Sequence, residues 1–211
     1  MHKQLALYLV MGSVNCENSS PENVLREAIA GGITLFQFRE KGPGALEGTT
    51  KLELGRRLFR ICREHGIPFI VNDDVELMLA LNADGLHIGQ EDGSARAMRN
   101  RIGDKILGIS AHNLSEARAA LADGADYLGV GPMYETETKP DIHEVRGPEV
   151  IREIRGAGIA CPIVGIGGIT YGKAAPVIAA GADGVAVISA ISQAIRPAEA
   201  AKKLMQEVRN Q

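Results

Sequence analysis

The sequence predicts an α/β protein of the (β/α)8 TIM barrel class, with residues 1–211 forming one domain. Three observations carry this. Short apolar runs alternate with helical patterns along the chain, which calls for parallel strands joined by crossover helices. There are eight such runs, and eight favour a closed barrel over an open sheet. A junction rich in Gly, Ala and Asp recurs between helix and strand: Ala30-Gly31-Gly32-Ile33, Ala83-Asp84-Gly85-Leu86, Asp123-Gly124-Ala125-Asp126 and Ala180-Gly181-Ala182-Asp183-Gly184. A chain of 211 residues sits at the short end of the range for this fold.

In chain order, the strands are expected at 6–11, 34–39, 68–72, 85–89, 105–110, 127–131, 162–165 and 184–189. Each is a short apolar run bounded by turn residues. Amphipathic helical stretches fall at 22–30, 51–65, 115–122, 148–155 and 198–208. The glycine of each recurring junction supplies the left-handed residue that ends a helix before the next strand begins. The loop richest in glycine, 42–50, follows the second strand and reads either as an active-site flap or as a surface loop.

Composition excludes several classes. Hydrophobic residues make up 45% of the chain, enough for a sizeable core, while aromatics are 4% and Trp is absent. The formal charge is -3 and no basic block stands out, so nucleic acid is not an expected partner. No apolar run has the length of a membrane span, and the short run after Met1-His2-Lys3-Gln4 reads as a strand instead of a signal peptide. Cys16, Cys62 and Cys161 are odd in number and widely spaced, which suits reduced thiols in a cytoplasmic protein.

In this fold the loops at the C-terminal ends of the strands build the active site. Polar residues gather at seven of the eight ends. The loops after strands seven and eight commonly hold phosphate, and here they carry Gly165-Ile166-Gly167-Gly168 and Ile188-Ser189. Arg39 and Lys41 project to one side if the second strand continues, and an inward Arg needs an anion beside it. Lys139 offers a further cation; the alternative is surface pairing of these cations with Glu40, Glu137 and Asp141. Two cationic places plus the glycine turn suggest more than one phosphate group. Asp73 and Asp92 end neighbouring strands about 4.8 Å apart, where two carboxylates can share a Mg2+ ion. They can equally cap the helices that follow, although Asp74 is the better cap. The five histidines form no ligand cluster. His65 reads as a helix-end residue, His87 as an interior one, and His112 as structural or acid–base. Lys139 follows a Thr-x-Thr loop, which suits contact with an anion better than Schiff-base chemistry.

Taken in order, Gln37-Phe38-Arg39-Glu40-Lys41, Val71-Asn72-Asp73-Asp74, His87-Ile88-Gly89-Gln90-Glu91-Asp92, Ser110-Ala111-His112, Gly131-Pro132, Thr136-Glu137-Thr138-Lys139, Gly165–Gly168 with Ile169, and Val187-Ile188-Ser189-Ala190-Ile191 closely resemble the thiamine phosphate synthase family. The resemblance runs from about Leu7 to Val208. It implies a catalytic barrel, a transferase that joins a hydroxymethylpyrimidine diphosphate to a thiazole phosphate and releases pyrophosphate. It also implies roles. Gln37, Phe38, Arg39, Glu40, Lys41, Asn72, Ser110 and Lys139 would bind the pyrimidine diphosphate, with Arg39, Lys41, Ser110 and Lys139 closest to the chemistry. Thr136, Glu137, Thr138, Gly168, Ile188 and Ser189 would hold the thiazole phosphate. Asp73 and Asp92 would bind Mg2+, the expected cofactor.

Two rivals share the fold: a related thiazole tautomerase, and a non-catalytic barrel that binds phosphate ligands. Arg39, Lys41, Asp73, Asp92 and Lys139 together favour the synthase, because a tautomerase needs no diphosphate and metal set. Small-molecule substrates, no nucleic acid, no membrane, a homo-oligomer as one option and a cytoplasmic location complete the expectations.

Overall fold

Leu7–Met11 (β1) shows how the sequence sorts its two faces. All five residues are buried, as a parallel strand covered on both sides requires. Leu7, Leu9 and Met11 pack outward against helices, while Tyr8 and Val10 belong to a separate inner cluster. That period of two is the strand repeat.

The same alternation continues in Leu35–Phe38 (β2), Phe69–Asn72 (β3), Gly85–Ile88 (β4), Ile106–Ala111 (β5), Tyr127–Val130 (β6), Ile163–Ile166 (β7) and Gly184–Val187 (β8). The computed structural model describes residues 1–17, 19–136 and 145–210. Every strand pairs in parallel with its sequence neighbours, and β1 also pairs with β8, so the sheet closes into an eight-stranded barrel. The register sets Met11 beside Phe38, Asn72 beside His87, and Ser110 beside Gly129. Leu35, Ile70, Tyr127, Val164 and Ala186 fill the interior with Tyr8 and Val10. The larger core lies between the sheet and the helices, where each fully buried Leu, Ile or Phe contributes about 1.5–3 kcal/mol.

The helices among the described residues are Pro21–Ala30 (α1), Gly48–Glu64 (α2), Val75–Leu81 (α3), Ala95–Ile102 (α4), Leu114–Ala122 (α5), Glu149–Gly156 (α6), Ala174–Ala179 (α7), Ser189–Ser192 (α8) and Pro197–Arg209 (α9). Helices α3, α4 and α7 fall outside the amphipathic stretches expected from the sequence. α3 is short, α4 buries only Ile102 of its eight residues, and α7 carries Pro176 within six. Helix α2 begins at Gly48, so the loop expected over 42–50 ends at Glu47.

Gly32, Gly124 and Gly181 have the positive φ expected of the junctions, but at 83–86 the left-handed residue that ends the helix is Asn82, and Gly85 begins β4. Three of the junctions have a second physical role. Asp84 accepts the backbone N–H of Phe69, Asp126 that of Leu107, and Asp183 that of Ile163, each at 2.8 Å. Each aspartate therefore ties the start of the strand that precedes it in the chain at the N-terminal face. Arg99 pairs with Asp126 and Arg155 with Asp183. No helix among the described residues is long and apolar enough to cross a membrane.

Candidate active site

At the opposite face, the strand ends open into a cavity of about 520 Å³, a size suited to small-molecule substrates. Arg39, Lys41, Asn72, Asp73, Asp92, Ser110, Thr136, Gly168, Ile188 and Ser189 all border it. Glu137, Thr138 and Lys139 lie outside the described residues.

Arg39 follows β2 and is held there by its N–H, which donates to Met11 O. Its side chain is 92% buried from solvent, leaving 8% exposed. Lys41 Nζ donates to Asp73 Oδ2 at 2.8 Å and lies 3.8 Å from Asp92 Oδ1. The hydrogen bond to Asp73 raises the Lys41 pKa, with both carboxylates adding to the effect.

The question of capping against convergence is resolved by geometry. Asp74 caps α3, accepting Leu77 N–H, and Ser94 caps α4. Asp73 and Asp92 cap neither helix. Asp73 adopts φ 61, a left-handed conformation uncommon outside glycine. Burial, then the neighbouring Asp92 carboxylate, push the Asp73 pKa above the usual range despite Lys41. Asp92 Oδ2 accepts Gly89 N–H at 2.7 Å, which aims its carboxylate at the same place.

On the far wall, Gly167 and Gly168 follow β7 with φ 103 and φ 63. A Cβ on Gly168 would meet Glu135 O at 2.4 Å. Only glycine lets this backbone pass so close, and the turn lies next to Ile188, Ser189 and the start of α8. Backbone amides in such a turn suit an anion.

Three expected residues lie off the cavity wall. Phe38 is packed outward, 6.2 Å from the Phe69 ring. Glu40 accepts Ser13 N–H at 2.7 Å, Ser13 Oγ–H at 2.5 Å and Leu46 N–H at 2.8 Å. Its carboxylate thus ties the loops after β1 and β2 together. Gln37 points into the barrel, where its Nε2 donates to Tyr8 OH at 2.7 Å.

His87 is interior, as expected, and forms a short polar chain with Tyr127 and Ser110. His112 borders the cavity with its Nδ1 2.8 Å from Glu116 Oε2. His65 bonds Ile61 O at the end of α2. The sequence reading missed Tyr8, Tyr127, Gln90 and Tyr134. Gln90 Nε2 donates to Ser110 O at 2.5 Å, and Tyr134 lines the mouth while its OH donates to Lys173 O. The signal for Tyr8 and Tyr127 was their inward parity in otherwise aliphatic strands.

Among the described residues, no three His, Cys, Asp or Glu side chains form a metal-holding group. The donors that do fit a hard cation are the two carboxylates of Asp73 and Asp92. Such a pair leaves room for phosphate oxygens and waters, which is how Mg2+ is commonly held.

The family model described as thiamine monophosphate synthase matches residues 7–191. A thiamine-phosphate synthase of Geobacillus kaustophilus is 59% identical over 209 residues, covering 99% of this chain and 94% of the relative. One of Bacillus velezensis is 57% identical over 209 residues, with 99% and 93% covered. A solved thiamine phosphate pyrophosphorylase from Pyrococcus furiosus superposes with a TM-score of 0.88 at 33% identity, covering 99% of this chain and 98% of that one.

Proposed function

This chain belongs to the thiamine monophosphate synthase family, and we propose that its barrel mouth joins 4-amino-2-methyl-5-hydroxymethylpyrimidine diphosphate to 4-methyl-5-(2-hydroxyethyl)thiazole phosphate, giving thiamine phosphate and pyrophosphate. The activity is thiamine phosphate synthesis, a transfer between small molecules. The observation that carries the detailed reading is the presence of two distinct anion stations on one cavity. Arg39 and Lys41, with Asp73 and Asp92, stand on the β2–β4 side; the Gly167-Gly168 turn and Ser189 stand on the β7–β8 side.

The division of labour follows from charge. A diphosphate carries more charge than a monophosphate and takes the station with two cations. Lys139, outside the described residues, is assigned to that station too, and Thr136, Glu137 and Thr138 to the thiazole phosphate. Asp73 and Asp92 would hold Mg2+, which supplies charge neutralisation to the diphosphate. Asn72 at the end of β3 and Ser110 on β5 border the cavity and orient the pyrimidine.

No described side chain is an obvious nucleophile, so a covalent enzyme intermediate has no support. The amino group of the pyrimidine can stabilise a positive methylene carbon. The C–O bond to the diphosphate therefore breaks first, and the thiazole nitrogen then takes the methylene carbon. Arg39 and Lys41 stabilise the departing pyrophosphate, and the barrel mouth places the second substrate.

Incubation of both substrates with Mg2+ tests the reaction. Thiamine phosphate and pyrophosphate are expected in equal amounts, and failure to form either overturns it. Single-turnover rates with a fluorinated pyrimidine test the order of bond breaking: the dissociative path slows by orders of magnitude, on the order of 10²-fold or more, whereas an unchanged rate rules it out.

A further inference from the structure

The barrel interior is lined chiefly by apolar side chains, yet one polar chain crosses it. Gln37 Nε2 donates to Tyr8 OH at 2.7 Å; Tyr8 OH lies 2.9 Å from Tyr127 OH; Tyr127 OH lies 2.9 Å from His87 Nδ1; and His87 Nε2 lies 3.0 Å from Ser110 Oγ. The chain starts on β2, passes through β1, β6 and β4, and ends on β5 at the cavity wall. Gln37, Tyr8, Tyr127 and His87 are all buried.

Neighbouring residues make room for it. A Cβ on Gly108 would meet Tyr127 OH at 2.3 Å and His87 Nδ1 at 2.4 Å, and one on Gly129 would meet His87 Cε1 at 3.0 Å. Two strand glycines, which cost a sheet conformational entropy, therefore stand where a methyl group would break or crowd the chain.

The donors give the chain a direction. An amide nitrogen can only donate, so Tyr8 OH accepts from Gln37 and has one proton left to give. Either phenol can donate in the Tyr8–Tyr127 pair, and the role of His87 Nδ1 follows its tautomer; if Tyr8 gives its proton to Tyr127 OH, Tyr127 gives its own to His87 Nδ1. A neutral imidazole then carries its proton on Nε2 and donates it to Ser110 Oγ. Ser110, having accepted, is left with its hydroxyl proton to offer to the cavity. Burial holds both phenols well above their ordinary pKa, so each keeps the proton this order requires.

We propose that Tyr8 and Tyr127 are positioning residues that carry the hydrogen-bond direction set by Gln37 across the barrel, fixing His87 as the Nε2–H tautomer and Ser110 as a hydrogen-bond donor to the substrate. The last step rests on the reading of Ser110 as a contact for the pyrimidine diphosphate. Gln37 shapes the site from within the barrel, without reaching the cavity wall.

The test has two arms. In the first, 15N NMR of ligand-free, labelled protein reads the ring nitrogens of His87, assigned by their loss in His87→Gln. The proton is expected on Nε2 alone in the native chain, and both tautomers are expected in Tyr8→Phe. A native proton on Nδ1, a doubly protonated ring, or a tautomer unmoved in Tyr8→Phe overturns the proposal. If Tyr8→Phe does not fold, Gln37→Met removes the donor at the head of the chain and is read in the same way.

In the second arm, kcat with both substrates is measured in a double-mutant cycle. Tyr8→Phe is expected to lower kcat about tenfold in the native background and to have almost no effect in Ser110→Ala. Equal losses in the two backgrounds mean a merely structural tyrosine and overturn it. A native protein that makes no thiamine phosphate removes the functional reading, while the NMR arm still decides the direction of the chain.

Discussion

Lys41 Nζ stands 2.8 Å from Asp73 Oδ2, bridging the loop after β2 to the loop after β3. Asp92 Oδ1 lies 3.8 Å from the same ammonium. The lysine thus occupies the place where charge between two carboxylates is needed, and both carboxylates are only partly exposed. A diphosphate arriving with Mg2+ would give Lys41 a new anionic partner and leave the carboxylates to the metal.

Asp92→Asn removes one of those charges and keeps the side chain's size. Turnover is expected to fall about 100-fold or more, and the Mg2+ concentration for half-maximal rate to rise. The thermal midpoint should hold, since Asn can still accept Gly89 N–H. A Mg2+ titration overlying that of the native protein would remove the metal assignment.

Gly168→Ala adds a methyl group 2.4 Å from Glu135 O at φ 63. The turn must move, at about 1–3 kcal/mol. The KM for the thiazole phosphate is expected to rise at least tenfold, with that for the pyrimidine diphosphate little changed. Equal rises in both would mean that the glycine turn does not serve the monophosphate separately.

Asp183→Ala acts far from the mouth. It strips Ile163 N–H of its acceptor and Arg155 of its carboxylate partner at the N-terminal face, leaving Arg155 its backbone carbonyl acceptors. A loss of about 1–3 kcal/mol in urea unfolding is expected, because a buried N–H is left unmatched. KM values should be unchanged. A midpoint equal to the native one would show that water replaces the carboxylate.

Asp74 links acid stability to a helix cap. Burial works to raise its pKa, but the Lys51 hydrogen bond and the Leu77 N–H outweigh it and hold it below the usual value. A carboxyl depressed on folding stabilises the protein above its unfolded pKa, about 3.9, and loses that stabilisation as pH falls through the folded value. Asp74→Asn keeps a capping oxygen but does not titrate. The native protein is expected to be the more stable at pH 7, and the gap should narrow below about pH 4. A gap independent of pH would show that the charge of Asp74 adds nothing.

The eight strands were legible because each is a local apolar run with turn residues on either side. β1 and β8 follow this pattern closely. The cationic and acidic strand ends were legible because the fold fixes which end of a strand carries chemistry, so the sequence alone puts Arg39, Asp73 and Ser110 at the mouth, where they border the cavity. Glu40 and Phe38 were drawn into that group by their position in the motif. Nothing local says that Glu40 would turn back to Ser13 and Leu46, because that choice depends on where the loop after β1 ends.

The sequence by itself determined the alternation of elements, the inward or outward parity of each strand residue, and the residue types gathered at the mouth. Those are short-range properties, set by periods of two and 3.6 residues. Tertiary structure alone decided which inward residues touch. Closure of β1 against β8, and the register that sets Asn72 beside His87, bring Tyr8 to Tyr127 across 119 residues of chain. They also bring the end of β3 beside the end of β4, where Asp73 and Asp92 meet, whereas Asp74 as the cap of α3 is already the better reading of the sequence. Whether a carboxylate caps a helix or converges on its neighbour depends on a backbone angle and on a partner from another strand, and a one-dimensional pattern contains neither.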